Sequence, residues 1–119
     1  MVLCKKGGAL LTPAVFKASA GLAEYLDIYV SSSINKAVLD LKQAGYNLYM
    51  AVVGNGKDAT KINYQRPGCL VIGNEAIGIA KSVQKEGVLI TLPQRSCDIS
   101  YNASVAAGIL LFLVSQGIK

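Results

Sequence analysis

Short apolar segments alternate with helical patterns along this chain. Apolar runs of strand length lie at 2–4, 28–30, 48–53, 69–72 and 88–92. Helical spacing is found at 15–25, 34–44, 79–84 and 102–115. Several of the strand runs are apolar on both faces, which is typical of a parallel sheet covered on both sides. The pattern therefore predicts an α/β fold, a parallel sheet flanked by helices, in one domain over residues 1–119.

The last predicted helix is apolar around its whole circumference between Ala106 and Val114. A helix on the surface of a globular protein would show a polar stripe instead. We therefore expect this helix to be buried on all sides, by a second subunit. The apolar run 103–114 is shorter than the roughly 20 residues that cross a bilayer, and the amino end does not resemble a signal peptide. We expect a soluble protein with no membrane partner, in the cytoplasm or an organellar matrix.

The composition removes several classes of function. Histidine is absent, which excludes Ser-His and Cys-His nucleophiles and the commonest zinc ligand. Three widely spaced cysteines (Cys4, Cys69 and Cys97) give neither a disulfide framework nor a metal site, and they fit a reducing compartment. Twelve Lys and Arg against seven Asp and Glu give a net charge of +5. This charge favours a polyanionic partner, although a solvated basic surface would have the same charge.

Glycine-rich bends follow several of the predicted strands. The first, at 53–56, matches neither the dinucleotide fingerprint nor a P-loop, so by itself it is better explained as a plain turn. The polar stretch 54–68 is predicted to be one long functional loop. The segments GNEAIG at 73–78 and LPQRSCDISYNASVAAG at 92–108 follow two more strands. Helix capping and close helix packing would explain either of these two segments taken alone. Because both follow strands of one parallel sheet, they should lie at the same carboxyl edge, and together they predict a cofactor pocket there.

Two of these segments resemble motifs of a known family. Residues 70–79 are similar to L-V-x-G-x-E-x-x-G-[IL], and residues 90–108 to I-x-[IL]-P…S-[LY]-N-x-S-V-A-A-[GA]. Both are motifs of the SpoU/TrmH-type RNA 2'-O-ribose methyltransferases. Residues 13–21 resemble the P-x-V-x-K-A-S-A-G segment of the ribosomal-RNA branch of that family. The similarity therefore covers most of the chain.

The resemblance implies a fold, a reaction and partners. The fold would be a SPOUT-type parallel α/β domain with a deep carboxyl-terminal trefoil knot, an exception to the rule that chains are unknotted. The reaction would transfer a methyl group from S-adenosyl-L-methionine to a ribose 2'-hydroxyl of RNA, with rRNA favoured over tRNA. The enzyme would act as a homodimer packed through its last helix, without a metal.

The resemblance also assigns roles to individual residues. The conserved polar positions around the methyl-transfer centre are Glu75, Ser100 and Asn102. Arg95, in the loop after a strand, is a candidate for contact with an RNA phosphate. The positions implied for cofactor binding are Val53, Gly54, Gly73, Asn74, Gly78, Ile90, Leu92, Tyr101 and Ala106.

One motif of the family has no match in this chain. The N-x-G-x-x-x-R element, which supplies an Asn and the catalytic Arg, would precede Met1, and neither Arg66 nor Arg95 lies at its position. We therefore consider three explanations: the chain is a fragment of a longer, amino-terminally extended protein, the arginine comes from elsewhere, or the protein does not catalyse. Two alternative functions follow, a non-catalytic dimeric module that binds cofactor or RNA, and an unrelated nucleotide-binding α/β domain.

Overall fold

Parallel strands and intervening helices form the framework, as the alternating pattern predicted. The computed structural model describes residues 1–4, 27–73, 78–93 and 103–117, so the predicted helix at 15–25 lies outside the described residues. The strands are β1 Val2–Cys4, β2 Tyr29–Ser31, β3 Asn47–Ala51, β4 Lys57–Asp58, β5 Gly68–Val71 and β6 Val88–Thr91. The helices are α1 Ile34–Gln43, α2 Lys81–Gln84 and α3 Ala103–Gly117, with a short 3-10 helix at Ala59–Lys61.

The described residues fall into two compact units, Met1–Ala37 and Val38–Lys119. In the first unit, β1 and β2 pair in parallel, with Leu3 opposite Val30. Helix α1 begins after Ser33, whose hydroxyl oxygen accepts a hydrogen bond from the Lys36 amide at 3.2 Å. A serine in this position satisfies an amide that the first helical turn would otherwise leave unpaired.

The second unit is built on a parallel sheet in the order β4-β6-β3-β5. Three consecutive residues of β3, Leu48, Tyr49 and Met50, are buried, so both faces of this central strand are covered. Such burial is the expected consequence of an apolar run in a parallel sheet, and it confirms the α/β prediction. Within the sheet Met50 lies opposite Val71 and Ala51 lies opposite Ile90. The carboxyl ends of β3, β5 and β6 are therefore level.

A hydrophobic cluster covers one face of this sheet. Its aromatic centre is the pair Tyr49 and Tyr64, whose rings lie 4.8 Å apart at 75°, an edge-to-face arrangement. Both buried hydroxyls are satisfied: Tyr64 Oη donates to the Ala59 carbonyl at 2.6 Å, and Tyr49 Oη accepts from the Gln65 amide at 2.7 Å. The remaining buried members of the cluster are Ala59, Ile90, Leu92, Leu110 and Val114.

The prediction of one long loop over 54–68 was wrong. This segment contains β4, which pairs with β6 through Lys57 opposite Ile90 and Asp58 opposite Thr91. The 3-10 helix follows at once, and its Ala59 is fully buried. The sequence pattern did not predict these elements. Strand β4 is a short edge strand with polar side chains, and a single buried residue such as Ala59 gives no periodic signal.

Helix α3 is only partly covered by its own chain. Leu110 and Val114 are buried in the cluster, whereas Val105, Leu111 and Phe112 are 52%, 58% and 63% exposed. The single chain thus leaves one side of this helix uncovered, and burial by a second subunit stays a prediction. None of the helices formed by the described residues is long and apolar enough to cross a membrane.

Candidate functional site

Three chain segments leave the sheet at the same edge, beyond the level carboxyl ends of β3, β5 and β6. Val53 and Gly54 follow β3, Gly73 follows β5, and Leu92 follows β6. Because the three strands are parallel and adjacent, in the order β6-β3-β5, the segments that follow them are neighbours. This carboxyl edge is the place where open α/β sheets bind ligands.

Hydrogen bonds from backbone amides connect the segment after β3 to β6. The Val52 amide donates to the Ile90 carbonyl at 2.9 Å, and the Gly54 amide points to the Thr91 hydroxyl oxygen at 3.4 Å. Gly54 has a φ of 92°, in the left-handed region that residues with a Cβ rarely adopt. A Cβ built there would meet no atom within 4 Å, so backbone conformation rather than space calls for glycine at this position.

The two described ends of the segment after β5, Gly73 and Gly78, lie against each other. A Cβ placed on Gly73 would lie 2.5 Å from the Gly78 carbonyl carbon and 2.7 Å from the Ile79 nitrogen. No side chain fits in that space, so these two ends contact each other through backbone. The predicted polar residues Asn74 and Glu75 fall between these ends, and they lie outside the described residues.

The apolar residues predicted for this site lie at different depths. Ile90 is fully buried and Leu92 is nearly so, and both belong to the hydrophobic cluster. Ala106 packs against the same cluster from α3. Val53, by contrast, is 64% exposed beside Gly54. The side chain of Ile90 therefore supports the edge from the core, whereas Val53 is accessible to a ligand.

The other predicted site residues fall in segments that the structure leaves undescribed. Glu75, Ser100 and Asn102, the predicted catalytic residues, lie outside the described residues. The same holds for Tyr101, predicted to contact the cofactor, and for Arg95, predicted to contact RNA. Of the predicted site residues, the structure thus places Val53, Gly54, Gly73, Ile90 and Leu92 at the carboxyl ends of three neighbouring strands, with Gly78 against Gly73.

Thr91 was not predicted from the sequence as a residue of this edge. Its hydroxyl faces the Gly54 amide across the gap between β6 and β3. A threonine in a strand is ordinary, because β-branched residues favour strands. Only the pairing of the two strands reveals its position, and the sequence offers no signal for it.

The described edge residues carry no ionisable side chain, so they can bind a ligand through backbone groups and apolar contact. The nearest cysteine in the strands that form this edge is Cys69 of β5, a free thiol. Burial raises the pKa of the Cys69 thiol, which disfavours the reactive thiolate. Among the residues that the structure describes, no three acidic or cysteine side chains are grouped as a metal site. The described edge thus suits an uncharged or locally apolar part of a ligand.

Comparison with known proteins gives a family and a set of relatives. The model of the SpoU rRNA Methylase family matches residues 1–112. An uncharacterized tRNA/rRNA methyltransferase of Synechocystis is 34% identical over 94% of this chain and 29% of its own length. The 23S rRNA (guanosine-2'-O-)-methyltransferase RlmB of Pseudomonas syringae is 30% identical over 94% of this chain and 45% of its own length. The chain thus spans less than half the length of these relatives.

Solved structures share the fold. A protein from a study of 2-OH methylation of C/U34 on tRNA superposes with a TM-score of 0.85, at 18% identity, over 98% of this chain and 76% of its own. The SpoU methyltransferase AviRb of Streptomyces viridochromogenes, in complex with AdoMet, gives a TM-score of 0.83 at 20% identity, over 97% of this chain and 48% of its own. At these identities the likeness shows the fold alone.

Proposed function

This chain belongs to the SpoU rRNA Methylase family, and we propose on that premise that it is the cofactor-binding domain of an RNA 2'-O-ribose methyltransferase. The observation that carries the proposal is the carboxyl edge of the sheet, where three neighbouring parallel strands end level with one another. Relatives named tRNA/rRNA methyltransferases support RNA as the substrate, and the RlmB relative supports rRNA and the 2'-hydroxyl.

The proposed methyl donor is S-adenosyl-L-methionine, which two of the similar structures contain under the name AdoMet. The described edge fits such a ligand. Gly54 presents backbone with no side chain, and Val53 presents an exposed apolar surface beside it. An adenine ring is flat and largely apolar on its faces, so it is suited to an apolar wall next to backbone hydrogen-bonding groups. When bound, the cofactor supplies an electrophilic methyl group on a sulfonium.

The chain's own residues would contribute mainly position. A 2'-hydroxyl attacks a methyl group only when the two are aligned, and holding reactants in that geometry accounts for a large share of catalysis. The contacts of Gly54 with β6 and of Gly73 with Gly78 fix two of the bends that would hold the donor. We assign the remaining polar roles to Glu75, Ser100 and Asn102 on the family motif, with Asn74, Tyr101 and Arg95 beside them.

Two measurements test this function. Calorimetry with S-adenosyl-L-methionine should show binding, and incubation with rRNA and labelled cofactor should transfer methyl to a ribose. Binding without transfer would favour the alternative of a non-catalytic module. Binding of ATP or NAD in place of S-adenosyl-L-methionine would contradict the proposal and favour an unrelated nucleotide-binding domain.

Replacing Asn102 tests the assignment of the polar residues. Asn102→Ala should lower methyl transfer by at least about tenfold, the loss expected when a positioning hydrogen bond is removed, with little change in stability. Asn35→Ala is the matched control, because Asn35 is an exposed asparagine on α1. Full activity of Asn102→Ala would contradict the assigned role.

We also propose that a second copy of the chain covers the exposed face of α3. Val105, Ile109 and Phe112 are spaced four and three residues apart, so they lie on one side of the helix. All three are exposed in the single chain, and Leu111 extends the apolar surface. An exposed patch of this kind favours association in water.

Phe112→Asp should convert the dimer to monomers, since the interface would bury an unpaired charge. Leu39→Asp, at another exposed apolar residue, is the control and should leave the dimer intact. Sedimentation velocity measures both. A charge at Leu113 is less informative, because Leu113 packs against the core and its replacement would destabilise the chain itself. A Phe112→Asp protein that sediments as a dimer would contradict the proposed interface.

The trefoil knot is the remaining part of the proposal. The fold likeness to SpoU structures supports it, while residues 94–102, which follow β6, lie outside the described residues. A crystal structure that traces this segment through the loop after β5 would establish the knot, and one that traces it around the loop would refute it.

A further inference from the structure

A second surface feature lies apart from the carboxyl edge. It is an open groove of about 590 Å³, here called the lysine groove. Its floor includes the first residues of β3 and β6, and its walls are polar side chains of α1, the turn before β6 and the segment 57–65. The residues that matter for its chemistry are Lys42, Tyr46, Lys57, Lys61, Asn63 and Gln65. None of the described cofactor-edge residues lines it.

Charge is distributed unevenly along this groove. At one wall Lys42 Nζ lies 2.8 Å from Glu86 Oε2, so the positive charge there is neutralised. At the other wall Lys57 and Lys61 are exposed. Asp58 lies between them in sequence but does not line the groove, and its carboxylate is engaged by the Thr60 amide and hydroxyl at 2.9 and 2.6 Å. The groove therefore has one cationic wall.

The groove also carries groups that recognise bases. Tyr46 is 40% exposed, so part of its ring can stack on a base. The side chains of Asn63 and Gln65 are exposed, and amides both donate and accept hydrogen bonds. A cationic track beside an exposed aromatic ring is the arrangement that binds unpaired nucleic acid. A closed pocket for a small molecule would instead enclose its ligand in apolar walls.

We propose that the lysine groove binds an unpaired RNA segment, as a second contact surface separate from the cofactor edge. Lys57 and Lys61 contact phosphates, Tyr46 stacks on a base, and Asn63 and Gln65 contact base edges. The proposal rests on the proposed function in taking RNA as the polyanion. It assigns to this groove a part of the substrate other than the methylated nucleotide, which the proposed function places at the carboxyl edge.

A pair of double variants with equal charge change tests the groove. Lys57→Ala with Lys61→Ala removes the cationic wall, while Lys81→Ala with Lys85→Ala removes two exposed lysines that do not line the groove. Fluorescence anisotropy measures binding of an unpaired RNA oligonucleotide across a range of salt concentrations. We expect the groove variant to bind about tenfold more weakly, with a salt slope lower by about 1.4, for two phosphates on a single strand. The control pair should bind within about twofold of the wild type.

The stacking contact has its own test. Tyr46→Ala should weaken RNA binding at least about fivefold, and Tyr46→Phe should retain it, because stacking uses the ring. Equal losses in the two lysine pairs, or no loss in either, would overturn the proposal. Displacement of the RNA by polyglutamate at equal charge concentration would also overturn it, since the groove would then recognise anions generally.

Calorimetry with S-adenosyl-L-methionine on the same proteins separates this proposal from the proposed function. Both lysine pairs should bind the cofactor as the wild type does. A wild-type protein that binds S-adenosyl-L-methionine but no RNA oligonucleotide would overturn the groove proposal alone. A wild-type protein that binds RNA through Lys57 and Lys61 but does not bind S-adenosyl-L-methionine would overturn the proposed function and support the groove proposal.

Discussion

The carboxyl edge of the sheet and the lysine groove use opposite means of recognition. The edge is built from backbone, with glycines at 54, 73 and 78 where side chains would strain the chain or collide with it. The groove is built from long polar side chains, with Lys57 and Lys61 on a short edge strand and a 3-10 helix. One surface therefore depends on the path of the main chain, and the other on exposed charge.

This difference explains why one region is visible in the sequence and the other is not. A bend that tolerates only glycine restricts the residues around it, so it leaves a motif such as GNEAIG. A groove of exposed side chains places few limits on the residue types that form it, and its residues come from three separate stretches of chain, 42–49, 57–65 and 86–88. We expect substitutions at the edge to act through geometry and substitutions in the groove to act through charge.

The largest effect is expected at Gly73. In Gly73→Ala the new Cβ would lie 2.5 Å from the Gly78 carbonyl carbon, so the bend must open. We expect a loss of about 1–3 kcal/mol in the free energy of unfolding and at least tenfold weaker binding of S-adenosyl-L-methionine, or about 1.4 kcal/mol. Urea titration and calorimetry measure the two quantities.

Gly87→Ala is the matched variant at the groove, because its Cβ would lie 2.5 Å from the Leu48 carbonyl oxygen. It should destabilise the fold to a similar extent and leave cofactor affinity unchanged at temperatures where it is folded. If both glycine variants lose cofactor binding equally, the contrast between the two regions is wrong.

Removing a hydroxyl from the tyrosine pair that packs on the sheet should have an intermediate effect, on stability alone. Tyr64 is buried, and Tyr64→Phe removes the hydrogen bond of 2.6 Å to the Ala59 carbonyl. The free energy of unfolding should fall by about 1–3 kcal/mol, because the buried carbonyl loses its donor. Exposed Tyr46→Phe should change it by less than about 0.5 kcal/mol. Ligand affinities should be preserved in both, and a selective loss of RNA or cofactor affinity in Tyr64→Phe would show that the core is part of one site.

The smallest expected effect is the loss of stability on replacing Asp58, which caps the 3-10 helix beside the cationic wall. Hydrogen bonds from the Thr60 hydroxyl and amide hold the pKa of Asp58 below its ordinary value of 3.8. The stability from its ionised form is therefore present above pH 3.8 and is lost as the pH falls through the lower, folded-state pKa.

Urea titration of the wild type and Asp58→Asn compares this contribution directly. The wild type should be slightly more stable at neutral pH, and the difference should vanish in acid well below pH 3.8. A difference that grows as the pH falls would contradict the assigned direction.

Sequence patterns located most described elements but missed those without a pattern. The predicted strands at 48–53, 69–72 and 88–92 correspond to β3, β5 and β6. Strands β3 and β6 are each one residue shorter than predicted, and β5 has the predicted length but begins one residue earlier. Strand β4 was missed because two polar residues on a sheet edge have no periodicity. Thr91 and the lysine groove were missed for a related reason, since they exist only where separate strands and turns meet.

What the sequence determined by itself was the alternation of strands and helices, the SpoU-type motifs and the glycine positions after the strands. These are local properties, and each is encoded in a few consecutive residues. Tertiary structure alone decided the order of the strands at this edge, how deeply Ile90 lies and which apolar residues of α3 remain exposed. Strand order and packing bring together residues that are distant in the chain, and no local pattern specifies those contacts. The glycine edge was therefore predictable in kind, whereas the cationic wall of the lysine groove emerged only from the fold.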